Sequence, residues 1–352
     1  MKKTVKNSVK VDFKELDLEE TRSWIEKIGL EPYRGEQIRQ WVFKHRAESF
    51  RGMTTISKEL RDYLDSLCTI TQLKIVKIEI SADGTKKFLF ELDDGNSIES
   101  VLIPERGHYT ACISSQVGCA MGCSFCLTAE QGLERNLKSS EIIDQLIQIS
   151  KSMDQPSKLT NIVFMGMGEP LANFEAVKKA VKNILSQDAL NFSRRRVTLS
   201  TCGLVPGIER AGRELPVKLA VSLNAADDET RNLLMPINKK YPLKSLIGAL
   251  KRFPLPKGRR ITFEYVLIKD INDRPRDAKN LTKIIEDIRA KINLIPFNRY
   301  NGSPFEPPDE DRILAFQDEL IRKNYTVTIR KSKGGDISAA CGQLRTGFRA
   351  ES

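Results

Sequence analysis

The sequence predicts an α/β fold with a parallel sheet, and three patterns support that prediction. Short apolar strands recur from residue 109 onward, segments of helical periodicity lie between them, and polar or glycine-rich residues follow the strands directly. Strands are expected at 109–115, 161–167, 196–201, 217–223, 261–268, 292–297 and 325–330. Periodicity does not separate a closed barrel from an open doubly wound sheet, but functional-looking residues at strand carboxyl ends favour a βα barrel.

Two smaller regions precede the predicted barrel. Apolar residues recur at helical spacing between residues 14 and 67, which predicts a helical accessory domain over residues 1–70. The pattern then changes to alternation in segments 73–80, 86–92 and 97–103, with the turn signals ADG and DDG between them. These segments predict a small antiparallel β linker over residues 71–103. The barrel, ending in a C-terminal loop, is expected over residues 104–346.

The charge balance favours polyanionic partners. The 352 residues include 57 Lys and Arg against 46 Asp and Glu, a formal net charge of +11 at pH 7, so nucleic acid is a candidate ligand. No apolar run approaches the roughly 18–20 residues that span a bilayer. The start MKKTVKNSVKVDFKELDLEE is too charged to hold a signal-peptide core. The sequence therefore predicts a soluble, cytoplasmic protein with no membrane partner.

Seven cysteines in a long, intracellular-looking chain indicate metal or redox chemistry rather than a structural disulfide framework. Three of them, Cys119, Cys123 and Cys126, form a CxxxCxxC array after the first predicted barrel strand. A structural zinc site needs four ligands, but the only histidines are His45 and His108, and no second close pair of cysteines exists. Thiolates are the usual ligands of iron–sulfur clusters, so such a cluster is the favoured interpretation. Three thiolates on a four-iron cluster would leave one iron open to bind a substrate.

Several longer strings resemble one branch of the radical S-adenosylmethionine (SAM) superfamily, the RNA adenine-C2 methyltransferases that modify 23S rRNA and, in some bacteria, tRNA. The strings are ACISSQVGCAMGCSFC, GLERNL, FMGMGEPLAN, RRRVTLSTCG, MPINKKYPL, INLIPFN and GDISAACGQL. The resemblance covers Glu99 to Leu344, with the motifs in the expected order. A sister branch methylates carbon 8 of the same rRNA adenine and typically reads GMGEALAN, whereas Pro170 here follows the carbon-2 pattern.

The resemblance implies a fold, a reaction and a set of partners. The fold is a partial (βα)6-type radical-SAM barrel with an RNA-binding helical accessory domain. The reaction is methylation of carbon 2 of adenine in 23S rRNA and in tRNA, with one [4Fe-4S] cluster and two molecules of S-adenosyl-L-methionine per turnover. The same likeness implies a low-potential electron donor such as flavodoxin or ferredoxin, and a monomer. The alternative from another class is a non-catalytic, metal-containing RNA-binding protein.

A radical route suits this target because carbon 2 lies between two ring nitrogens and is too electron-poor to attack the methyl group of SAM by displacement. The cluster and SAM carry that chemistry, and the protein positions them. The resemblance implies that the cluster is bound by Cys119, Cys123 and Cys126. It implies that SAM contacts come from residues that follow successive strands: Gly168, Glu169, Ser200, Ser222, Leu223, Asn224 and Asn298. The family often has His at position 224, so a backbone contact is expected there.

Three further residues acquire catalytic roles from the resemblance: Cys341, Cys112 and Glu99. Cys341 would be methylated by one SAM and, after losing a hydrogen to the radical from a second SAM, would add through its methylene to carbon 2. Cys112 would then attack the sulfur and release the product, leaving a transient Cys112–Cys341 disulfide to be reduced. Glu99 matches the family's proton acceptor. Cys68 and Cys202 match no role and are predicted to be packing residues.

Basic strings are candidate contacts for RNA phosphates. They are Arg194–Arg196, Lys257–Arg260 and Arg330–Lys333, and the helical region adds Tyr33, Arg34, Gln37 and Lys44. Each could also be an ordinary solvated residue, so charge supports RNA binding only in aggregate. A target adenine must leave its stack to reach a buried cluster, so a flipped or single-stranded base is expected.

Overall fold

A computed structural model describes residues 10–345. Residues 1–9 of the predicted accessory domain and residue 346 of the predicted barrel lie outside the described residues. The N-terminal part is helical, as the periodicity predicts, with a short parallel strand pair. Its elements are β1 (Val11–Asp12), α1 (Leu18–Lys27), α2 (Tyr33–Arg39), α3 (Lys58–Leu67) and β2 (Cys68–Thr69). Asp17 begins α1 in a capping box with Glu20, which satisfies two backbone N–H groups that the helix start leaves free.

Three antiparallel strands follow: β3 (Lys74–Ile80), β4 (Lys86–Glu91) and β5 (Ser97–Glu105). They agree with the three alternating segments of the sequence. The last of them also pairs antiparallel with β6 (His108–Cys112), so these strands extend the main sheet instead of forming a separate bridge. The reason is visible in β5, where every residue from Ser97 to Ile103 is buried, as expected for an internal strand.

The βα units follow in chain order. They are β6, β7 (Gln116–Gly118), α4 (Leu127–Glu130), β8 (Leu133–Asn136), α5 (Ser139–Lys151), β9 (Leu159–Phe164), α6 (Phe174–Leu185), β10 (Val197–Thr201), α7 (Val205–Glu214), β11 (Lys218–Ser222), α8 (Asp228–Leu234), α9 (Leu243–Arg252), β12 (Ile261–Leu267), α10 (Pro275–Ile284), β13 (Ala290–Pro296), α11 (Glu310–Arg322) and β14 (Thr326–Ile329).

Ten strands form one sheet in the order β14-β13-β12-β11-β10-β9-β6-β5-β4-β3. From β6 to β14 all neighbours pair in parallel, and β7 pairs with β8 in a separate hairpin. The order has β14 and β3 at its two ends, so the parallel part is an open, partial barrel. The predicted fold class is confirmed. All parallel strands end at the same edge of the sheet, which is where such folds build their sites.

Helices cover the outer face of the parallel strands. Phe263 and Tyr265 of β12 are fully buried, and the Tyr265 ring lies 5.3 Å from that of Phe316 on α11. The intervening residue Glu264 points to the opposite, inner face because side chains alternate along a strand. Within residues 10–345, no helix has the length and apolar character needed to cross a membrane.

Buried polar contacts attach the N-terminal helical part to the barrel helices. Lys14 donates to Asp144 of α5 at 2.5 Å, and both side chains are buried. Arg39 of α2 donates to Asn183 of α6 at 2.6 Å and forms an ion pair with Asp188. Buried charges with good partners of this kind fix the relative position of two packed units.

Candidate active site

A cavity lies at the carboxyl ends of the parallel strands. It holds about 1030 Å³ of empty space, part of which is open solvent. The structure brings ten of the predicted site residues together in its lining: Cys119, Cys123, Cys126, Gly168, Glu169, Ser200, Ser222, Asn224, Asn298 and Cys341. The other three predicted site residues, Cys112, Glu99 and Leu223, are buried and lie outside the lining.

The β7–β8 hairpin and the short helix α4 position the three clustered cysteines. Gly118 has φ +75° and approaches the Gly132 carbonyl so closely that any Cβ would collide with it. The Cys119 amide then donates to the same carbonyl at 2.7 Å, and Cys126 N–H donates to the Cys123 carbonyl at 3.1 Å. The glycines of this loop therefore turn the chain so that all three thiols reach one cavity.

The thiols are free and desolvated. Burial raises the pKa of all three thiols, that of Cys119 to about 12. The backbone amide of Met121 acts to lower the pKa of Cys119. The amides of Ala129 and Thr128 act to lower the pKa of Cys126. Among residues 10–345, no three Cys, His, Asp or Glu side chains converge as they would around a single metal ion. Three cysteine thiols that line one cavity fit an iron–sulfur cluster, whose usual protein ligands are cysteine thiolates.

Gly168 and Glu169 follow β9. Gly168 has φ +100°, and a side chain there would collide with Gln116. The Glu169 carboxylate is buried, and its two oxygens accept from the amides of Leu171 at 3.0 Å and Cys202 at 2.8 Å. Burial raises the pKa of Glu169, and these N–H donors oppose that effect. The carboxylate thus connects the ends of β9 and β10 inside the cavity.

Arg231 holds the ends of β10 and β11, and the sequence reasoning missed it. This fully buried guanidinium donates to the carbonyls of Leu223 at 3.1 Å and Cys202 at 2.7 Å. Leu223 itself packs in the core, so the predicted SAM contact at this position has no side chain in the cavity. Cys202 was predicted to be a packing residue, and it packs in a small apolar cluster that borders the cavity.

Asn224 has a left-handed backbone, φ +58°, which asparagine tolerates better than most residues. Its side chain is buried: Oδ1 accepts from the Val266 amide at 2.8 Å and Nδ2 contacts the Met235 sulfur. Its carbonyl accepts from Asn272 at 2.7 Å. The side chain is therefore committed to loop structure, in line with the expectation that it is not a side-chain ligand.

Cys341 lies on a C-terminal segment anchored at several points. The Asp336 carboxylate accepts from Ser81 at 2.6 Å, the Gly342 carbonyl accepts from Leu127 at 2.8 Å, and Asn298 donates to the Cys341 carbonyl at 3.1 Å. The loss of water near the cavity wall raises the pKa of Cys341, whereas the Arg330 guanidinium lowers it.

Cys112 ends β6 and is buried close enough to Cys341 for the two thiols to interact electrostatically. Burial, with a smaller contribution from a charged Cys341, raises the pKa of Cys112 to about 12, and Arg330 opposes it. Both thiols are free. The structure therefore gives no support for the predicted disulfide, because both cysteines are free thiols.

Glu99, the predicted proton acceptor, is enclosed by protein and paired. It is buried on β5, where Lys87 forms an ion pair with Oε1 at 3.1 Å and the Arg345 amide donates to Oε2 at 2.9 Å. Burial raises the pKa of Glu99 and Lys87 opposes that effect. The carboxylate thus holds the segment that follows Cys341.

Two charged side chains of the cavity, Glu264 and Arg330, interact electrostatically without forming a salt bridge, and the sequence reasoning gave neither a place in the site. Glu264 is 6% exposed, and its Oε2 has no hydrogen-bond partner. Arg330 was predicted as a phosphate contact, but it lines the cavity and makes no side-chain hydrogen bond or ion pair within residues 10–345. An acidic residue inside the apolar run ITFEYVLI is the signal that could have singled out Glu264.

The other two basic strings meet at the opposite edge of the sheet. Arg196 directly precedes β10, Arg260 directly precedes β12, and Lys218 begins β11, so all lie at strand amino ends. Burial, and then the neighbouring charges of Arg194 and Arg195, lowers the pKa of Arg259. These residues, 194–196, 218 and 259–260, are called the basic face below. The stretch from Arg196 to Ser200 spans about 13 Å of extended strand, so this face is separate from the cavity.

Comparison with known proteins agrees with this geometry. A model of the radical SAM superfamily matches residues 113–281, and a model described as the ribosomal RNA large subunit methyltransferase N-terminal domain matches residues 11–70. A crystal structure of a radical SAM methyltransferase from Sphaerobacter thermophilus superposes with a TM-score of 0.90 and 42% identity, covering 95% of this chain and 99% of that one.

Two relatives carry the name dual-specificity RNA methyltransferase RlmN. The protein from Desulfosudis oleivorans is 52% identical over 322 residues, 91% of this chain and 87% of that protein. The protein from Geobacter sulfurreducens is 52% identical over 335 residues, 95% of this chain and 92% of that protein. With its cysteine-lined cavity on a partial barrel, the chain belongs to the family of dual-specificity radical SAM RNA methyltransferases.

Proposed function

We propose that this protein methylates carbon 2 of adenine in both 23S rRNA and tRNA. The observation that carries the proposal is the meeting of three motif cysteines and Cys341 in one cavity, with Cys112 beside it. The two specificities in the relatives' name correspond to two classes of RNA. The protein is further proposed to act as a monomer in the cytoplasm, because both RNAs are present there.

Cys119, Cys123 and Cys126 would hold one [4Fe-4S] cluster. With SAM bound, that cluster supplies the one-electron cleavage that generates a hydrogen-abstracting radical. Gly168, Glu169, Ser200, Ser222, Asn224 and Asn298 would hold SAM, and the backbone of Leu223 would shape the same loop. A low-potential donor such as flavodoxin or ferredoxin would supply the electron.

Cys341 would carry the methyl group to the RNA, so two SAM molecules are used per turnover, one as methyl donor and one as radical source. The adduct formed when the Cys341 methylene adds to carbon 2 would give up one electron to the cofactor, and Glu99 would take the proton from that carbon. The Cys112 thiolate would then attack the Cys341 sulfur and break its bond to the RNA-bound carbon, which would take up a proton to become the methyl group. The resulting transient disulfide would be reduced by a thiol reductant before the next cycle.

The surroundings of these groups suit their roles. Burial holds the pKa of Glu99 above its usual value, which favours a carboxylate that must accept a proton. Arg330 lies near both Cys112 and Cys341 and stabilises either thiolate. The Glu99 carboxylate also holds the Arg345 amide, so movement of the C-terminal segment would free one carboxylate oxygen for its catalytic role.

The basic face would contact phosphates of the same RNA away from the target adenine. Its position at the opposite edge of the sheet from the cavity requires a folded RNA that reaches around the protein. The helical residues Tyr33, Arg34, Gln37 and Lys44 would add contacts on the accessory part. Each such phosphate contact contributes salt-dependent affinity without sequence preference.

Mass spectrometry of nucleosides tests the proposal directly. The reconstituted protein, with SAM and a reductant, should convert adenine in a 23S rRNA fragment and in tRNA to 2-methyladenosine. A product that co-migrates with 8-methyladenosine would assign the protein to the carbon-8 reaction instead. Absence of any methylated adenine with a fully loaded cluster would leave the non-catalytic RNA-binding alternative.

A further inference from the structure

A row of four polar side chains crosses the inner face of the sheet. In the register of the parallel strands, Ser222 of β11 lies opposite Glu264 of β12, Glu264 opposite Asn293 of β13, and Asn293 opposite Thr328 of β14. Thr328 donates to Asn293 Oδ1 at 2.5 Å, and Asn293 Nδ2 donates to Glu264 Oε1 at 2.9 Å. Thr328 and Asn293 thus orient the Glu264 carboxylate through its Oε1. Its Oε2 receives no hydrogen bond from the row.

That other oxygen, Glu264 Oε2, is buried without a hydrogen-bond partner and belongs to a residue that lines the cavity. The second carboxylate of the cavity differs, because both oxygens of Glu169 accept backbone amides. No salt bridge joins Glu264 to a cation among residues 10–345, although Arg330 and Lys291 are near enough to act on its charge. A buried carboxylate oxygen without a donor is unstable by itself and gains most from a ligand that brings positive charge.

We infer that Glu264 makes the cavity select the cationic sulfonium of SAM over the neutral thioether of S-adenosylhomocysteine. The inference rests on the proposed function, in which SAM is the ligand of this cavity. The two molecules differ by one methyl group and one positive charge, and a desolvated carboxylate responds strongly to that charge. Such selection has a use in this reaction, because methylation of Cys341 leaves S-adenosylhomocysteine behind, and a second SAM must replace it in the same turnover.

The test is calorimetric titration of the cluster-loaded protein with SAM and, separately, with S-adenosylhomocysteine. The wild type should prefer SAM, and Glu264→Gln should reduce that preference by about tenfold or more, chiefly through weaker SAM binding, since hydrogen bonds and pairing with charged groups are worth at least this much. Glu264→Asp keeps the charge and should keep most of the preference. Asp277→Asn removes an equally buried carboxylate on α10 and should leave both affinities unchanged.

Cluster absorbance and thermal melting establish that each variant is folded and loaded. If Glu264→Gln keeps the wild-type ratio of the two affinities, or loses both ligands equally, Glu264 does not select the sulfonium. If Glu264→Gln fails to fold, Glu264→Asp decides, because a lost SAM preference despite the retained charge contradicts the inference. A wild-type protein that binds neither ligand with its cluster in place would instead overturn the proposed function.

Discussion

Two buried polar regions of this molecule differ in how their charges are satisfied. At the junction between the N-terminal helices and the barrel, Lys14 and Arg39 are fully buried and each has an acidic partner. In the cavity, Glu264 has a buried oxygen without a donor, and no hydrogen bond or salt bridge from the Arg330 side chain is found among the described residues. The charges at the junction are paired within the chain, whereas those of the cavity form no salt bridge.

The difference separates structural from functional burial. Nearly all buried polar groups in folded proteins are satisfied, so an exception needs an explanation. The junction contacts tie together elements more than a hundred residues apart, as Lys14 and Asp144 show, and they contribute to stability as a set. Glu264 and Arg330 lie in one cavity with the free thiols, where a cofactor and a substrate would complete their contacts.

Removal of one cluster thiol should abolish the cofactor. Protein prepared anaerobically should carry about four irons, and Cys123→Ala should carry almost none, because three thiolates are the proposed ligand set. Iron analysis and visible absorbance measure the loss. Cys202→Ala is the matched control, since this cysteine also borders the cavity but stands outside the motif. Equal iron loss in both variants would mean that the cavity as a whole, and not the motif, retains the metal.

At the junction, Lys14→Met should lower the free energy of unfolding by about 3–5 kcal/mol, because it leaves the buried Asp144 carboxylate without its Lys14 partner. The double variant Lys14→Met with Asp144→Asn should recover part of that loss. The exposed pair Lys251–Asp287 is the control, where Lys251→Met should cost under about 1 kcal/mol. Urea denaturation measures all three. Similar costs for Lys14→Met and Lys251→Met would remove the distinction between the buried and the exposed pair.

The smallest expected effect lies on the basic face. Arg194→Glu with Arg195→Glu should weaken RNA binding and reduce the slope of log affinity against log salt by about one for each phosphate that is no longer neutralised. Lys251→Glu, on the outer helix α9, should leave the slope unchanged. Filter binding over a range of salt gives the slopes. A double variant with the wild-type slope would show that these arginines are only solvated, and would favour the N-terminal helices as the RNA platform.

Local patterns were enough to predict much of this molecule. The strand and helix order follows from periodicity. The cysteine array and the GMGEP string lie in the predicted loops, where Gly118 and Gly168 adopt positive φ angles that residues with a Cβ rarely adopt. Properties that depend on distant partners were beyond such patterns. The contact of Glu99 with Arg345 and the place of Arg330 in the cavity join segments far apart in sequence, and the free oxygen of Glu264 is visible only when its neighbours are known.

The central claim is that Cys341 and Cys112 have different tasks in one reaction, although they are 229 residues apart in the sequence. Denaturing gel electrophoresis of the cluster-loaded variants with RNA, SAM and reductant tests it most directly. Cys341→Ala should form no link to RNA and no product, because nothing carries the methyl group. Cys112→Ala should accumulate a nuclease-sensitive band of higher mass, because the adduct forms but is not released. Turnover by Cys341→Ala, or the absence of that band in Cys112→Ala, would contradict the account.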